Sequence, residues 1–542
     1  MKKTLNFILA FVVTLSSTGQ SLKRPKLVVG IVIDQMRWDY LYRFYDRYAE
    51  NGGFKRLISQ GFSCDNTMIP YAPTITACGH SCIYTGSVPS INGIAGNFWW
   101  DNRLNKNVYC TEDSSVKTVG SNTAAGKESP RNLLTTTIGD ELRLATNFQS
   151  KVFGIALKDR ASILPAGHSA NGAYWFDNKT GDWITSDYYM KSLPGWVKNF
   201  NSQKLVDKYY KEGWNTLYPL NTYTQSTADE NAYEAKPFGP AAKGFPYNFT
   251  GFAGNNYGVV YATPFGNRIT AQFAEQAIIN EQLGADSITD LLAVSFSSPD
   301  YVGHSFGPNS VEEEDTYLRL DKELGNFLNF LDTKAGKDQY VIFLSADHGV
   351  AHVPAFARDH NIPAGIIDFS SLAVKMNTAL NEKFGQNKLV LAIAEYQVVL
   401  NLPVIASSSL KIIDIKNWII NYLSGVPGID RVIDMDNLYN VPLNAKVREM
   451  FANGYNPARS GQIQIILQPQ WIDGFGTGGG TTHGLWNPYD AHIPLLWYGW
   501  GIKPGKTNRE LYMTDIAPTL AALLHIQMPS GSVGNVIQEI FK

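Results

Sequence analysis

The sequence predicts an α/β fold: a doubly wound, mostly parallel central sheet with helices on both faces, elaborated by loop-rich cap insertions. Three observations carry that expectation. Apolar, β-branched runs of strand length recur along the chain, helical stretches separate them, and the runs close in the same few polar residues, mainly aspartate and histidine.

Taken in order, the first run is "KLVVGIVID" at 26–34, and "KVFGIALKDR" at 151–160 is a further strand candidate. "DLLAVSFSSPD" (290–300), "YVIFLSADHG" (340–349) and "IPLLWYGWG" (493–501) complete the set. Continuous rather than alternating apolarity marks strands buried on both faces, which is the habit of parallel sheets. "VEEEDTYLRLDKELGNFLNFLDTK" (311–334) and "TDIAPTLAALLHI" (514–526) read as helices, and "ACGHSCIYTG" (77–86) as the opening of another. Two regions break the rhythm. Residues 170–260, rich in Asn, Tyr, Trp, Gly and Pro, read as a loop-rich insertion; residues 365–475, with "NKLVLAIAEYQVVLNL" and "GQIQIILQPQW", read as a second one with its own helices and strands.

The composition, 44% hydrophobic and 17% charged over 542 residues, is that of a globular chain able to bury a large core. A formal net charge of −2 and the lack of any Lys/Arg run argue against a nucleic-acid partner. Lys2 and Lys3 precede "LNFILAFVVTL" and then "SSTGQ", the pattern of a cleaved signal peptide over residues 1–19. Its apolar run is shorter than the roughly 20 residues a spanning helix needs, so the expectation is a periplasmic or secreted protein without membrane association. Cys64, Cys78, Cys82 and Cys110 permit disulfides in such a compartment without requiring them.

The chemistry is expected where strands end, since open α/β sheets bind ligands beyond their carboxyl edge. Asp34 closes the first run, Asp300 the 290–300 run with His304 four residues on, and Asp347 and His348 the 340–349 run; "GTGGGTTHGLW" presents His483. One aspartate at a strand end is ordinarily a cap, and one loop histidine a hydrogen-bonded structural residue. Six such residues at one edge form an Asp₃His₃ donor set that suits zinc, or manganese or iron, and is too large for one tetrahedral ion. It suits two ions about 3.5–4 Å apart. Lys158 and Arg160, two apart at a strand end, are placed to reach one anionic group together. His80, His168, His352, His360 and His492 are assigned structural or supporting roles.

"VIDQMRWDYL", "PTITACGHSCIYTGSVPSINGIAGN", "SSPDYVGHSFGP", "SADHGVAH" and "TTHGLWN" resemble the alkaline phosphatase superfamily, most of all its PafA-type, threonine-nucleophile bacterial members. The resemblance runs from "RPKLVVG" to "DIAPTLAALL" and implies a single catalytic domain over 20–542. It implies two zinc ions, one held by Asp34, Asp347 and His348, the other by Asp300, His304 and His483. It makes Thr76 the nucleophile and a zinc contact, Thr74 a local hydrogen-bonding residue, and Asn97, Lys158 and Arg160 the phosphate-binding groups, with Lys158 standing where relatives place magnesium. The implied reaction is hydrolysis of small-molecule phosphate monoesters by a monomeric enzyme. The physics agrees: metal contact and a helix N-terminus both favour an anionic hydroxyl at Thr76. A sulfatase is disfavoured, because neither Cys78 nor Cys82 is followed by the Pro and Arg of a C-x-P-x-R motif. The competing readings are a phosphodiesterase or nucleotide pyrophosphatase of the same superfamily, which generally lacks the Lys–Arg pair, and a non-catalytic zinc- or phosphate-binding protein, which has no use for Thr76.

Overall fold

The computed structural model describes residues 23–474 and 479–542. The expected signal peptide lies outside the described residues. Within them, the strands of the central sheet are β1 (Leu27–Ile33), β2 (Phe62–Cys64), β3 (Thr118–Val119), β4 (Val152–Ala156), β5 (Gly172–Asp177), β6 (Asp182–Ser186), β7 (Asp290–Phe296) and β8 (Tyr340–Ser345). A second sheet follows, with β9 (Val390–Ala394), β10 (Gln397–Leu400), β11 (Ile429–Asp434) and β12 (Ile463–Leu467); β13 (Leu495–Gly499) and β14 (Gly505–Thr507) then return to the first.

The central order is β14-β2-β13-β8-β1-β7-β4-β5-β6-β3. Its middle, β8-β1-β7-β4-β5, is parallel, and every residue of β1, β7 and β8 is buried, as the apolar runs require. One register row, Gly30–Ala293–Gly154, has small or no side chains. That lets two helices approach one face: a Cβ on Gly30 would meet Tyr84 Oη of α1 (Thr76–Thr85), and one on Gly154 would meet Ser162 O of α2 (Asp159–Ala166). Tyr174, in register with Ile155 one step along, points the other way. Its ring packs 5.4 Å from Phe273 of α3 (Phe265–Asn280) on the opposite face.

Two expectations need correction. "IPLLWYGWG" forms β13, but antiparallel to β8, because the chain enters it from the carboxyl edge where His483 lies, with no crossover to carry it back. The 170–260 region is not all insertion, since its first part supplies β5 and β6 to the central sheet and only the remainder is loop-rich. Residues 365–474 fold around their own apolar cluster, including Met376, Ile415, Ile419, Leu423 and Ile465, separate from that of the central sheet. All four cysteines are free and buried.

Candidate active site

Asp34 follows β1 directly, and Asp347 and His348 follow β8 by two and three residues. Asp300 and His304 do not sit at a strand end as expected. β7 stops at Phe296, and both residues lie on α4 (Ser298–Phe306), because Ser297-Ser298-Pro299-Asp300 is a helix start with proline and an acid in its first turn. Four residues apart, they share a helix face. Lys158 likewise is the N-cap of α2 rather than a strand residue, and Arg160 is already helical. Thr76 is the first residue of α1, buried, with its helix amides beneath it. Thr74 donates to Leu485 O at 2.7 Å and so fixes the turn before it.

These pieces converge. His348 Nε2 lies 3.6 Å from Asp34 Oδ1 and 3.5 Å from Asp347 Oδ2. His304 Nε2 and His483 Nε2 lie 3.2 and 3.6 Å from Asp300 Oδ1. Thr76 Oγ1 stands 3.4 Å from both His348 Nε2 and Lys158 Nζ. The ammonium sits 2.6 Å from Asp300 Oδ2 and 2.7 Å from Asp34 Oδ2, the latter off the hydrogen-bonding direction. Asp300, His304 and His483 form one group with donors within 4.8 Å of one another. Asp34 joins Asp300 and His348 in a second, and Asp347 and His80 in a third.

The three ligand-type histidines share one device. Nδ1 of His304 meets Thr481 O at 2.8 Å, Nδ1 of His348 meets Gly349 O at 3.0 Å, and Nδ1 of His483 meets Thr74 O at 2.7 Å. A carbonyl only accepts, so Nδ1 carries the proton and each Nε2 lone pair faces carboxylate oxygen. That juxtaposition is repulsive unless a cation lies between the donors. Ligands about 2.1 Å from a tetrahedral ion stand roughly 3.4 Å from each other, the spacing seen here. Among the described residues, both oxygens of Asp34 and Oδ2 of Asp347 are buried without a hydrogen-bond partner, and the Asp34 and Asp300 carboxylates share one ammonium. The residues present fit bound metal ions.

Electrostatics point the same way. Burial, with Asp347 and Asp300 beside it, pushes the Asp34 carboxyl well up. For Asp300 burial is outweighed by Lys158 and His304, which hold it well down, and for Asp347 by His348 and His80. Burial lowers His348 to about 3, keeping it neutral as a ligand must be, and also lowers His483. At His304 burial is outweighed by Asp300 and the hydrogen bonds to the ring, and its pKa is raised.

On the substrate side, Asn97 Oδ1 accepts from Ala77 N at 3.0 Å, which anchors it to the first turn of α1 and leaves its amide nitrogen free. Arg160 Nη1 donates to Tyr109 Oη at 3.1 Å, while its buried Nε has no partner. The cleft over the cluster is lined by Asn97, His304, Glu395, Tyr396, Asp473 and His483. His168, His352, His360 and His492 bond elsewhere, to Thr135 O, Asn309, Phe356 O and Asp65 O.

One contributor escaped the sequence reading, and one residue expected to be structural packs beside a donor. Gln35 takes the left-handed φ of 67°, gives its N–H to Asp347 Oδ1 (3.1 Å) and its side-chain amide to Asp300 Oδ1 (2.8 Å), and so ties the two groups together. Its position directly after Asp34 in "VIDQM" was the available signal. His80 bonds Thr76 O (3.0 Å) and Ser295 Oγ (2.9 Å) and comes within 3.2 Å of Asp347 Oδ2. Both its nitrogens are engaged, by Thr76 O and Ser295 Oγ, so it lies beside Asp347 in the structural role expected of it.

A large mixed sheet with this donor cluster at its carboxyl edge defines an enzyme of the alkaline phosphatase superfamily. Residues 28–472 match the family described as type I phosphodiesterase / nucleotide pyrophosphatase, and the chain belongs to that family. It is 54% identical over 524 residues (96% of this chain, 95% of the other) to a protein of Myroides odoratus named calcium-transporting ATPase. It is 53% identical over 526 residues (96% and 94%) to alkaline phosphatase PhoV of Synechococcus elongatus. The crystal structure of wild-type alkaline phosphatase PafA superposes with a TM-score of 0.93 at 48% identity, over 96% of this chain and 100% of that one. No helix among the described residues is long and apolar enough to cross a membrane.

Proposed function

We propose that this protein is an exported, monomeric, zinc-dependent alkaline phosphatase that hydrolyses a broad range of phosphate monoesters through a phospho-threonine at Thr76. The observation that carries the reading is the Thr76 hydroxyl: buried at a helix N-terminus, 3.4 Å from both His348 Nε2 and Lys158 Nζ, at the meeting point of two donor groups. A binding site needs no hydroxyl there.

Asp34, Asp347 and His348 would hold one zinc and Asp300, His304 and His483 the other; when bound, the ions lower the hydroxyl's pKa and neutralise charge on the entering and departing oxygens. Thr76 Oγ attacks phosphorus in line, forming the Oγ–P bond as the ester P–O bond breaks and the alcohol leaves. Water then opens the phospho-threonine, releasing phosphate and restoring the hydroxyl. Asn97, held from behind by Ala77 N–H, offers its amide N–H groups to a phosphate oxygen. Lys158 and Arg160 supply fixed positive charge to the extra, doubly charged oxygens of a monoester. Lys158 occupies the place of a third cation, so no magnesium is required. Export rests on the Lys2–Lys3 and apolar pattern of the leader.

The family's description favours a second reading, a phosphodiesterase. Metal analysis together with kcat/KM on a monoester and a diester of one alcohol separates them. The expected result is about two zinc per chain and a preference for the monoester. Preference for the diester would transfer the assignment to the second reading.

A further inference from the structure

The inserted four-stranded sheet reaches the cleft at one point, the β9–β10 hairpin tip. Ala394 pairs with Gln397, leaving Glu395 and Tyr396 as a two-residue turn, with φ of 49° and 61°. Neither residue is the glycine, asparagine or aspartate that such a turn favours, and two non-glycine residues in the left-handed region cost free energy that the surrounding structure must offset. The turn is over-determined from behind: Tyr396 O accepts from Ile465 N at 2.8 Å and from Gln464 Nε2 at 2.9 Å.

What the strained pair holds is the site. Tyr396 Oη donates to His483 O at 3.1 Å, and its ring fills the space where a Cβ on Gly484 (φ 127°) would stand, 2.5 Å away. Glu395 lies over Gly96, the residue before Asn97, where a Cβ would come 3.4 Å from its Cγ and 3.5 Å from its Oε1, and it lines the cleft together with Asn97.

The geometry points to the Glu395–Tyr396 turn as a two-pronged positioning device: Tyr396 fixes the loop that carries the ligand His483, and Glu395 fixes the backbone that carries the phosphate-binding Asn97. The inference rests on the function proposed above for those two residues. Each prong has its own signature, which a general packing role would not give. Tyr396 acts on metal retention and Glu395 on phosphate.

The test uses the full-length, zinc-loaded protein and the variants Tyr396→Phe, Glu395→Ala and Glu395→Gln, with inorganic phosphate affinity, zinc affinity against a chelator, and Tm as readouts. Tyr396→Phe is expected to weaken zinc binding about 10-fold or more, as loss of a partner behind a ligand does, with phosphate affinity at saturating zinc unchanged. Glu395→Ala is expected to weaken phosphate binding and raise KM by roughly 10-fold with zinc affinity unchanged, and Glu395→Gln, which keeps an acceptor, to recover most of that loss. Parent-like values in both single variants would overturn the inference. So would a common loss of both affinities that follows a lowered Tm and is not recovered by Glu395→Gln. Failure of the parent to hydrolyse any monoester would refute the proposed function instead, while the phosphate and zinc affinities still decide on the turn.

Discussion

At Thr76, Lys158 and their neighbours the unit of explanation is a single atom. The Thr76 hydroxyl is 3.4 Å from Lys158 Nζ, and that ammonium is itself pinned between Asp34 and Asp300. On the proposed mechanism, Thr76→Ala removes the attacking atom and is expected to lower kcat/KM for a monoester by at least about 10³-fold, with Thr76→Ser retaining part of the activity. Lys158→Ala is expected to lower monoester kcat/KM by about 10²–10³-fold and to leave diester turnover far less affected, because the charge lost is the one the dianion needs. The same change leaves two buried carboxylates facing each other, so the metal-free variant is also expected to be less stable in urea. Asp34 and Asp300 were picked out because aspartates closing apolar runs are few, whereas Thr76 and Lys158 took their roles from the family resemblance. Gln35 was not read: its place after Asp34 hints at the site, but nothing in a glutamine tells that its amide lands on Asp300 from another part of the chain.

Elements decide how closely those atoms can meet. Helix α1 lies against the turn after β8 so tightly that a Cβ on Gly79 would fall 2.4–2.7 Å from Asp347 O, Cβ and Cα. Gly79→Ala must push α1 away from Asp347, moving Thr76 and one donor group apart. It is expected to cost about 1–3 kcal/mol of stability, read from urea unfolding, and to lower activity well beyond what the lost stability explains. Cys78 and Cys82 on the same helix are packing residues; Cys78 Sγ meets Ile94 O at 3.1 Å. At this scale the sequence reading was right about which segments are strands and helices and wrong about where some end. The Ser-Ser-Pro-Asp start of α4 was read as the tail of the strand run although it carries helix-start residues, and Leu157 extends the apolar pattern of β4 one residue past its end. The direction of β13 was illegible for a different reason: an apolar run is the same read up or down, and only the missing crossover sets it antiparallel.

For the whole molecule, a large buried core lets the fold carry many buried acids. Burial raises Asp490 to about 8, Glu128 to about 9 and Glu312 to about 8. The native state therefore holds protons that the unfolded chain, with ordinary carboxyl pKa values, has already released. With more protons bound in the native state, unfolding free energy falls as pH rises between those two ranges. The metal-free protein is expected to lose urea stability steadily from about pH 5 to 9, and a flat or rising profile would contradict this. The α/β class was legible because four of the five parallel strands, β1, β4, β7 and β8, read as apolar runs, as strands covered on both faces must. The second sheet's part in the site was not, because Glu395 and Tyr396 gain meaning only when the tip that carries them reaches Asn97 and His483.

The central claim is that Thr76 becomes phosphorylated during turnover. Rapid acid quenching of the zinc-loaded enzyme with a phosphate monoester, followed by peptide mass spectrometry, tests it directly. The account predicts one phosphate, on Thr76 and absent from Thr76→Ala. Phosphate on another residue, or an active enzyme whose Thr76 is never phosphorylated under any quench condition, would contradict it.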